Sequence, residues 1–173
     1  KAAVEDAREK VARLIGASPE EIIFTAGATE STNFIIKGYL DYRKFYGDGK
    51  NHVITSLVEH KATLNTCKYL NGELYSNNDP TISLFGEKKR VNRGFEASFV
   101  GVTPNGEINI EDIALKIKEN TALVSILYVN NEIGTISDVE AVSALCRNNN
   151  IAFHSDLTQA LGKMQIDIKK MGI

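Results

Sequence analysis

The sequence predicts an α/β layered sandwich built on a mostly parallel sheet. Three observations lead to that class. Helical and strand-like hydrophobic patterns alternate along nearly the whole chain. The strongest strand pattern, residues 121–129, is apolar on both faces, as a central parallel strand must be. Clusters of polar side chains recur where strands end, and open α/β sheets bind their ligands beyond the carboxyl ends of the strands.

The chain has 173 residues, is 43% hydrophobic and carries a formal net charge of −2. That length can bury one sizeable core and suggests one domain. The charge provides no general field for nucleic acid or an anionic membrane. No apolar run approaches the roughly 20 residues that span a bilayer. Cys67 and Cys146 fall in helical patterns without metal-ligand spacing, so no metal site is expected, and a reducing intracellular compartment suits them.

Residues 1–15 read as a helix, with Val4, Ala7, Val11, Leu14 and Ile15 on one face and Gly16 as the stop. No start signal precedes Lys1, and Lys170 to Ile173 closes no element, which reads as an internal piece of a longer protein. After a turn at Ser18-Pro19-Glu20-Glu21, residues 22–25 are expected to form a short strand. Ala26-Gly27-Ala28-Thr29-Glu30-Ser31 then opens a helix running to about Tyr46. A strand, a turn of small residues and a helix start suit an anion, because the first N–H groups of the helix point outward. The same residues also serve as ordinary capping. The turn matches neither the dinucleotide nor the Walker glycine pattern.

Residues 52–56 form the next strand, with Glu59-His60-Lys61 at its exit and a helix through Leu64, Cys67 and Leu70 behind. His60 is a catalytic candidate or a hydrogen-bonded turn residue. Residues 71–94 show no sustained period and read as a long exposed loop containing Lys88-Lys89-Arg90. Residues 97–102 are a strand, Pro104-Asn105-Gly106 a turn, and residues 110–119 a helix. Strand 121–129 ends in Asn130-Asn131-Glu132-Ile133-Gly134, and a helix from about Val139 to Asn148 follows.

Ile151-Ala152-Phe153 is then a short buried strand that breaks into His154-Ser155-Asp156, with Gln159 three residues on. A carboxylate leaving a strand at the ligand edge is placed to meet a cation. Taken alone, Asp156 is better read as the cap of the next turn, and the rest of the chain reverses that preference. If the strands are parallel, residues 26–31, 59–60, 130–132 and 156–159 gather on one edge, which argues for a single small-molecule site.

With those clusters in view the sequence resembles the cysteine desulfurases, pyridoxal-phosphate enzymes of the class V aminotransferase group. The matching stretches are Phe24-Thr25-Ala26-Gly27-Ala28-Thr29-Glu30-Ser31-Thr32-Asn33, Glu59-His60-Lys61, Val129-Asn130-Asn131-Glu132-Ile133-Gly134 and His154-Ser155-Asp156-Leu157-Thr158-Gln159. They stand in the family's order over essentially the whole chain. Their form is similar to the branch serving iron–sulfur assembly and nitrogen fixation.

The resemblance implies a three-layer sandwich with a mostly parallel mixed sheet. Residues 1–173 would be a partial cofactor-binding large domain, with 71–94 as an exposed insertion loop. It implies pyridoxal phosphate as cofactor and L-cysteine as substrate, the products being L-alanine and an enzyme persulfide. Asp156 would pair with the ring nitrogen, Gln159 would donate to the phenolic oxygen, and His60 would stack on the ring and help move protons. Ala28 and Thr29 would hold the phosphate, and Asn131 would sit by the phenolic oxygen and the substrate carboxylate. The family's anchoring lysine and sulfur-accepting cysteine would lie beyond Ile173; Lys61 and Lys163 match other positions, and Cys67 and Cys146 match neither role. The fragment alone is therefore expected to be inactive. A homodimer, iron–sulfur scaffold or sulfur-acceptor partners, and a cytoplasmic location (the mitochondrial matrix in a eukaryote) complete what the resemblance implies. A related class V aminotransferase or lyase, or a non-catalytic scaffold of this fold, are the alternatives.

Overall fold

The computed structural model describes residues 1–73 and 91–173. The central part of the expected 71–94 loop, including Lys88-Lys89-Arg90, lies outside the described residues. The order of elements is α1 (Ala2–Ile15), a 3-10 turn at Pro19–Glu21, α2 (Ala28–Phe45), β1 (His52–Ser56), α3 (Lys61–Leu70) and β2 (Glu96–Val100). It continues with α4 (Ile110–Ala114), β3 (Thr121–Ser125), α5 (Val139–Asn148), β4 (Ala152–His154) and α6 (Ile168–Met171). The four strands pair in the order β2-β1-β3-β4, all parallel.

Alternation along the strands produces the layers, since successive side chains point to opposite faces. Val53 and Leu123 pack with Ile36 and Leu40 of α2 and Cys67 and Leu70 of α3, and Ala122 joins the same cluster because the β1–β3 register shifts by one residue there. Ile54 and Val124 face the other way, against Ile113 of α4 and Val142 and Cys146 of α5. Helices therefore cover both faces of the sheet, as the sequence leads one to expect. Cys67 and Cys146 lie inside these helices and are buried. Gly16 ends α1 at φ 73° in the left-handed region, its N–H bonding Ala12 O. The left-handed φ favours glycine there, and an added Cβ would also crowd the Asp167 carboxylate, with Oδ1 at 2.9 Å.

Three expected elements differ. Residues 22–25 belong to no strand. Ile23 and Phe24 are exposed. Arg8 of α1 reaches across, bonding Ile22 O and standing over the Phe24 ring, so a helix rather than the sheet holds the segment. The central strand stops at Ser125, not Val129. Beyond it Ile126 N–H bonds His154 O and Tyr128 N–H bonds Asp156 O, while Val129 bridges Ile136 in the antiparallel sense. The 110–119 helix ends at Ala114, where tighter turns take over and Thr121 Oγ1 accepts from Lys118 N–H.

His52 starts β1, fully buried, its ring nitrogens bonded to Thr121 Oγ1 (2.8 Å) and Ser98 Oγ (2.9 Å). Burial pushes its pKa down to about 4. The unfolded chain takes up this proton near the ordinary value of 6.5, the folded one only near 4. Stability is therefore held above pH 6.5 and lost as the pH falls toward 4. His154, also lowered by burial, adds to the same slope. In the full-length protein, His52→Asn should flatten the decline of melting temperature across that window. An unaltered slope would assign the proton uptake to other groups.

Candidate active site

The strand order makes the β1/β3 boundary the point where the chain turns from one side of the sheet to the other. Ligands bind at such a switch point, beyond the carboxyl ends of the strands. The residues leaving β1 are Leu57 to His60, and those leaving β3 run to Asn130 and Asn131. Asp156 follows β4 on the same edge.

A cavity of about 160 Å³ opens there, with Leu127 and Val129 as apolar wall and Ala28, His60, Asn131, Asp156 and Gln159 as its remaining candidate lining. Thr29 lines an adjoining groove of about 410 Å³ between α2 and α3, and His60 is shared by both. A third hollow, of about 480 Å³, lies between the β1 and β3 exits and again includes His60 and Asn131. The structure thus brings together all six candidates from the sequence, with Thr29 around the corner from Asp156.

Each candidate is held by local chemistry. His60 caps α3, its Nδ1 accepting from Ala62 N–H at 3.1 Å, which leaves the ring proton on Nε2. The turn reading of His60 and its place in the cavity are both realised. Asp156 Oδ1 accepts from Thr158 N–H at 2.9 Å, so it caps the next turn with one oxygen. Its other oxygen takes no hydrogen bond from a described residue. Gln159 Oε1 accepts from Lys163 Nζ at 2.9 Å, which leaves the amide NH₂ for a ligand. At the start of α2, Thr25 and Ser31 hydroxyls bond one another (2.7 Å), and the Glu30 carboxylate takes Ala26 N–H. The first N–H groups of α2 have no partner within the helix.

Other residues that shape the site stand out only in the structure. Asn130, 8% exposed, donates from Nδ2 to Val58 O (2.9 Å) and accepts from Glu132 and Ile133 N–H through Oδ1 (2.8 and 3.0 Å). It ties the β3 exit to the β1 exit and turns Asn131 outward. Glu59 is buried beside it, and Leu127 and Val129 supply the apolar wall. Asn33 joins the two helices of the groove, accepting from Thr66 Oγ1 at 3.0 Å and donating to Thr29 O at 2.9 Å. The Asn-Asn pair at a strand exit is the signal that could have marked one amide as a brace.

The class V aminotransferase profile matches residues 1–75 and 84–173. The chain belongs to the class V aminotransferase family. Among its relatives, cysteine desulfurase IscS of Buchnera aphidicola subsp. Baizongia pistaciae is 44% identical over 99% of this chain. The chain spans only 37% of that protein's length. Of solved structures, SspA in complex with cysteine superposes with a TM-score of 0.83 at 35% identity, covering 99% of this chain and 43% of that one. DndA from Streptomyces lividans gives 0.78 at 34%, covering 99% and 41%.

Class V enzymes use pyridoxal phosphate, and the donor set here fits it. It offers a carboxylate for a protonated ring nitrogen, a free amide donor, an imidazole, an apolar wall and a helix N-terminus for a phosphate. Among the described residues no cluster could hold a metal ion, and no helix is long and apolar enough to cross a membrane.

Proposed function

We propose that the full-length protein is a pyridoxal-phosphate-dependent cysteine desulfurase, converting L-cysteine to L-alanine and passing the sulfur to an enzyme thiol. The observation that carries this reading is the meeting of Asp156, Gln159, His60 and Asn131 at one cavity on the switch-point edge. The likeness to several proteins named as cysteine desulfurases supports the choice of substrate.

Pyridoxal phosphate held there would supply an electron sink for charge at the substrate's α-carbon. Asp156 keeps the proton on the ring nitrogen by its negative charge. Gln159 donates from its amide to the phenolic oxygen, its carbonyl being taken by Lys163. His60 would stack against the cofactor ring, its Nδ1 taken by Ala62 N–H and its ring proton left on Nε2. Ala28 and Thr29, with the N–H groups opening α2, hold the phosphate. Asn131, exposed at the mouth, receives the substrate carboxylate.

Neither Cys67 nor Cys146 suits the sulfur-accepting thiol. Both are buried in helices, and burial pushes each thiol up to about 12, which keeps it protonated and unreactive. Lys61, at the start of α3, and Lys163, bonded to Gln159, are not assigned as the anchoring lysine. The proposal extends to a homodimer that delivers sulfur to an iron–sulfur scaffold or another acceptor protein, in the cytoplasm or a mitochondrial matrix. Exposed Phe34, Tyr42 and Phe45 along α2 support burial against further protein.

The test is to incubate the full-length protein with L-cysteine and a reducing thiol and to measure alanine and sulfide. Equal amounts of both are expected. Turnover of another amino acid, with no alanine from cysteine, would assign a different class V activity.

A further inference from the structure

Glu59 is only 6% exposed and stands between the exits of β1 and β3. Its Oε1 accepts from Ser56 Oγ at 2.8 Å and from Leu127 N–H at 3.0 Å, so the carboxyl joins the two exits across the switch point. Its Oε2 is buried and has no partner among the described residues. No described lysine, arginine or histidine forms an ion pair with it. An ionised carboxylate in that position would carry its desolvation penalty with no cation to offset it. A second carboxyl, Asp156, adds repulsion from the end of β4.

We propose that Glu59 is a positioning residue that joins the β1 and β3 exits as a neutral carboxylic acid, leaving Asp156 as the charged member of the pair. The inference rests on the reading of Asp156 as the partner of the cofactor's ring nitrogen. Asp156, half-buried and fixed by Thr158 N–H, supplies the charge. Glu59 ties the β1 exit that leads to His60 to the β3 exit that leads to Asn131, without adding a second negative charge near Asp156. Burial is the main cause that pushes Glu59 up to about 8, with a smaller push from Asp156. The bonds from Leu127 and Ser56 oppose both. The titratable groups facing it are Asp156 and, from α3, Cys67.

The experiment compares Glu59→Gln and Glu59→Leu in the full-length protein, with and without cofactor. Glutamine keeps the shape and the acceptor for Ser56 and Leu127, whereas leucine removes it. A carboxyl raised above its unfolded value holds its contribution below about pH 4.5 and loses it as the pH rises toward 8. The melting temperature of Glu59→Gln should therefore gain steadily on that of the parent between those limits. This melt needs no cofactor, so it judges Glu59 even where the functional reading fails. In the holoenzyme, Glu59→Leu should lower kcat by about tenfold or more, and Glu59→Gln should restore it to within about threefold. Infrared spectra of the cofactor-free protein at neutral pH should show a protonated carboxyl band that Glu59→Gln abolishes. A glutamine variant as inactive as the leucine variant, with the parent's pH slope and no lost band, would overturn the proposal.

Discussion

Asp156→Asn in the full-length protein should lower turnover of cysteine by about 10²–10³-fold, the usual cost of losing one fixed charge-stabilising partner in a site. Asparagine preserves the shape of the side chain, and its carbonyl oxygen can still accept from Thr158 N–H, which now bonds Oδ1 at 2.9 Å. The backbone bond from Tyr128 N–H to Asp156 O does not involve the side chain. The fold around the cavity is therefore retained while the negative charge is lost, and the melting temperature should hardly move. The loss should fall on kcat rather than KM, because the charge acts on the ring rather than on the bound amino acid. The visible absorption of bound cofactor should shift in the same variant. Turnover within about twofold of the parent would remove Asp156 from the role proposed for it.

Much of this arrangement is legible in the sequence because two simple periods govern it. Residues 139–148 and 61–70 carry the helical spacing of apolar residues, and both helices stand where that spacing puts them. Residues 52–56 are buried throughout, as an uninterrupted strand between two helical layers must be. What the sequence misplaces depends on neighbours far along the chain. Ile23 and Phe24 have strand-like chemistry, yet Arg8 holds that segment outside the sheet. Leu127 and Val129 continue an apolar run without a break, so nothing local marks Ser125 as the end of β3. Instead β3 ends where its pairing with β1 stops at Thr55–Ser125, and farther on Val129 pairs with Ile136 in the antiparallel sense. The site shows the same division. Asp156, His60 and Gln159 are visible as polar side chains after apolar runs. The division of labour between Asn130 and Asn131, or between Glu59 and Asp156, is set by burial, which one-dimensional spacing does not report.

The pair of amides after β3 should separate sharply on mutation. Asn130 is buried and makes three hydrogen bonds, to Val58 O and from the N–H groups of Glu132 and Ile133. Asn130→Ala leaves all three backbone groups without that partner. At about 1 kcal/mol net per bond, and more where the group stays dry, the variant should lose ~2–4 kcal/mol of stability. Activity should fall with it, because the brace fixes both Val58, next to the Glu59-His60 pair, and the turn that presents Asn131. Asn131 itself is exposed, and no described residue bonds its side chain. Asn131→Ala should therefore stay within about 0.5 kcal/mol of the parent, as ordinary surface substitutions do, while raising KM for cysteine through loss of a contact to its carboxylate. Denaturant melts and steady-state kinetics on the two full-length variants decide the matter. If Asn130→Ala melts with the parent, the exits of β1 and β3 are held together by the Glu59 carboxyl and the flanking backbone alone, and the brace has no energetic weight.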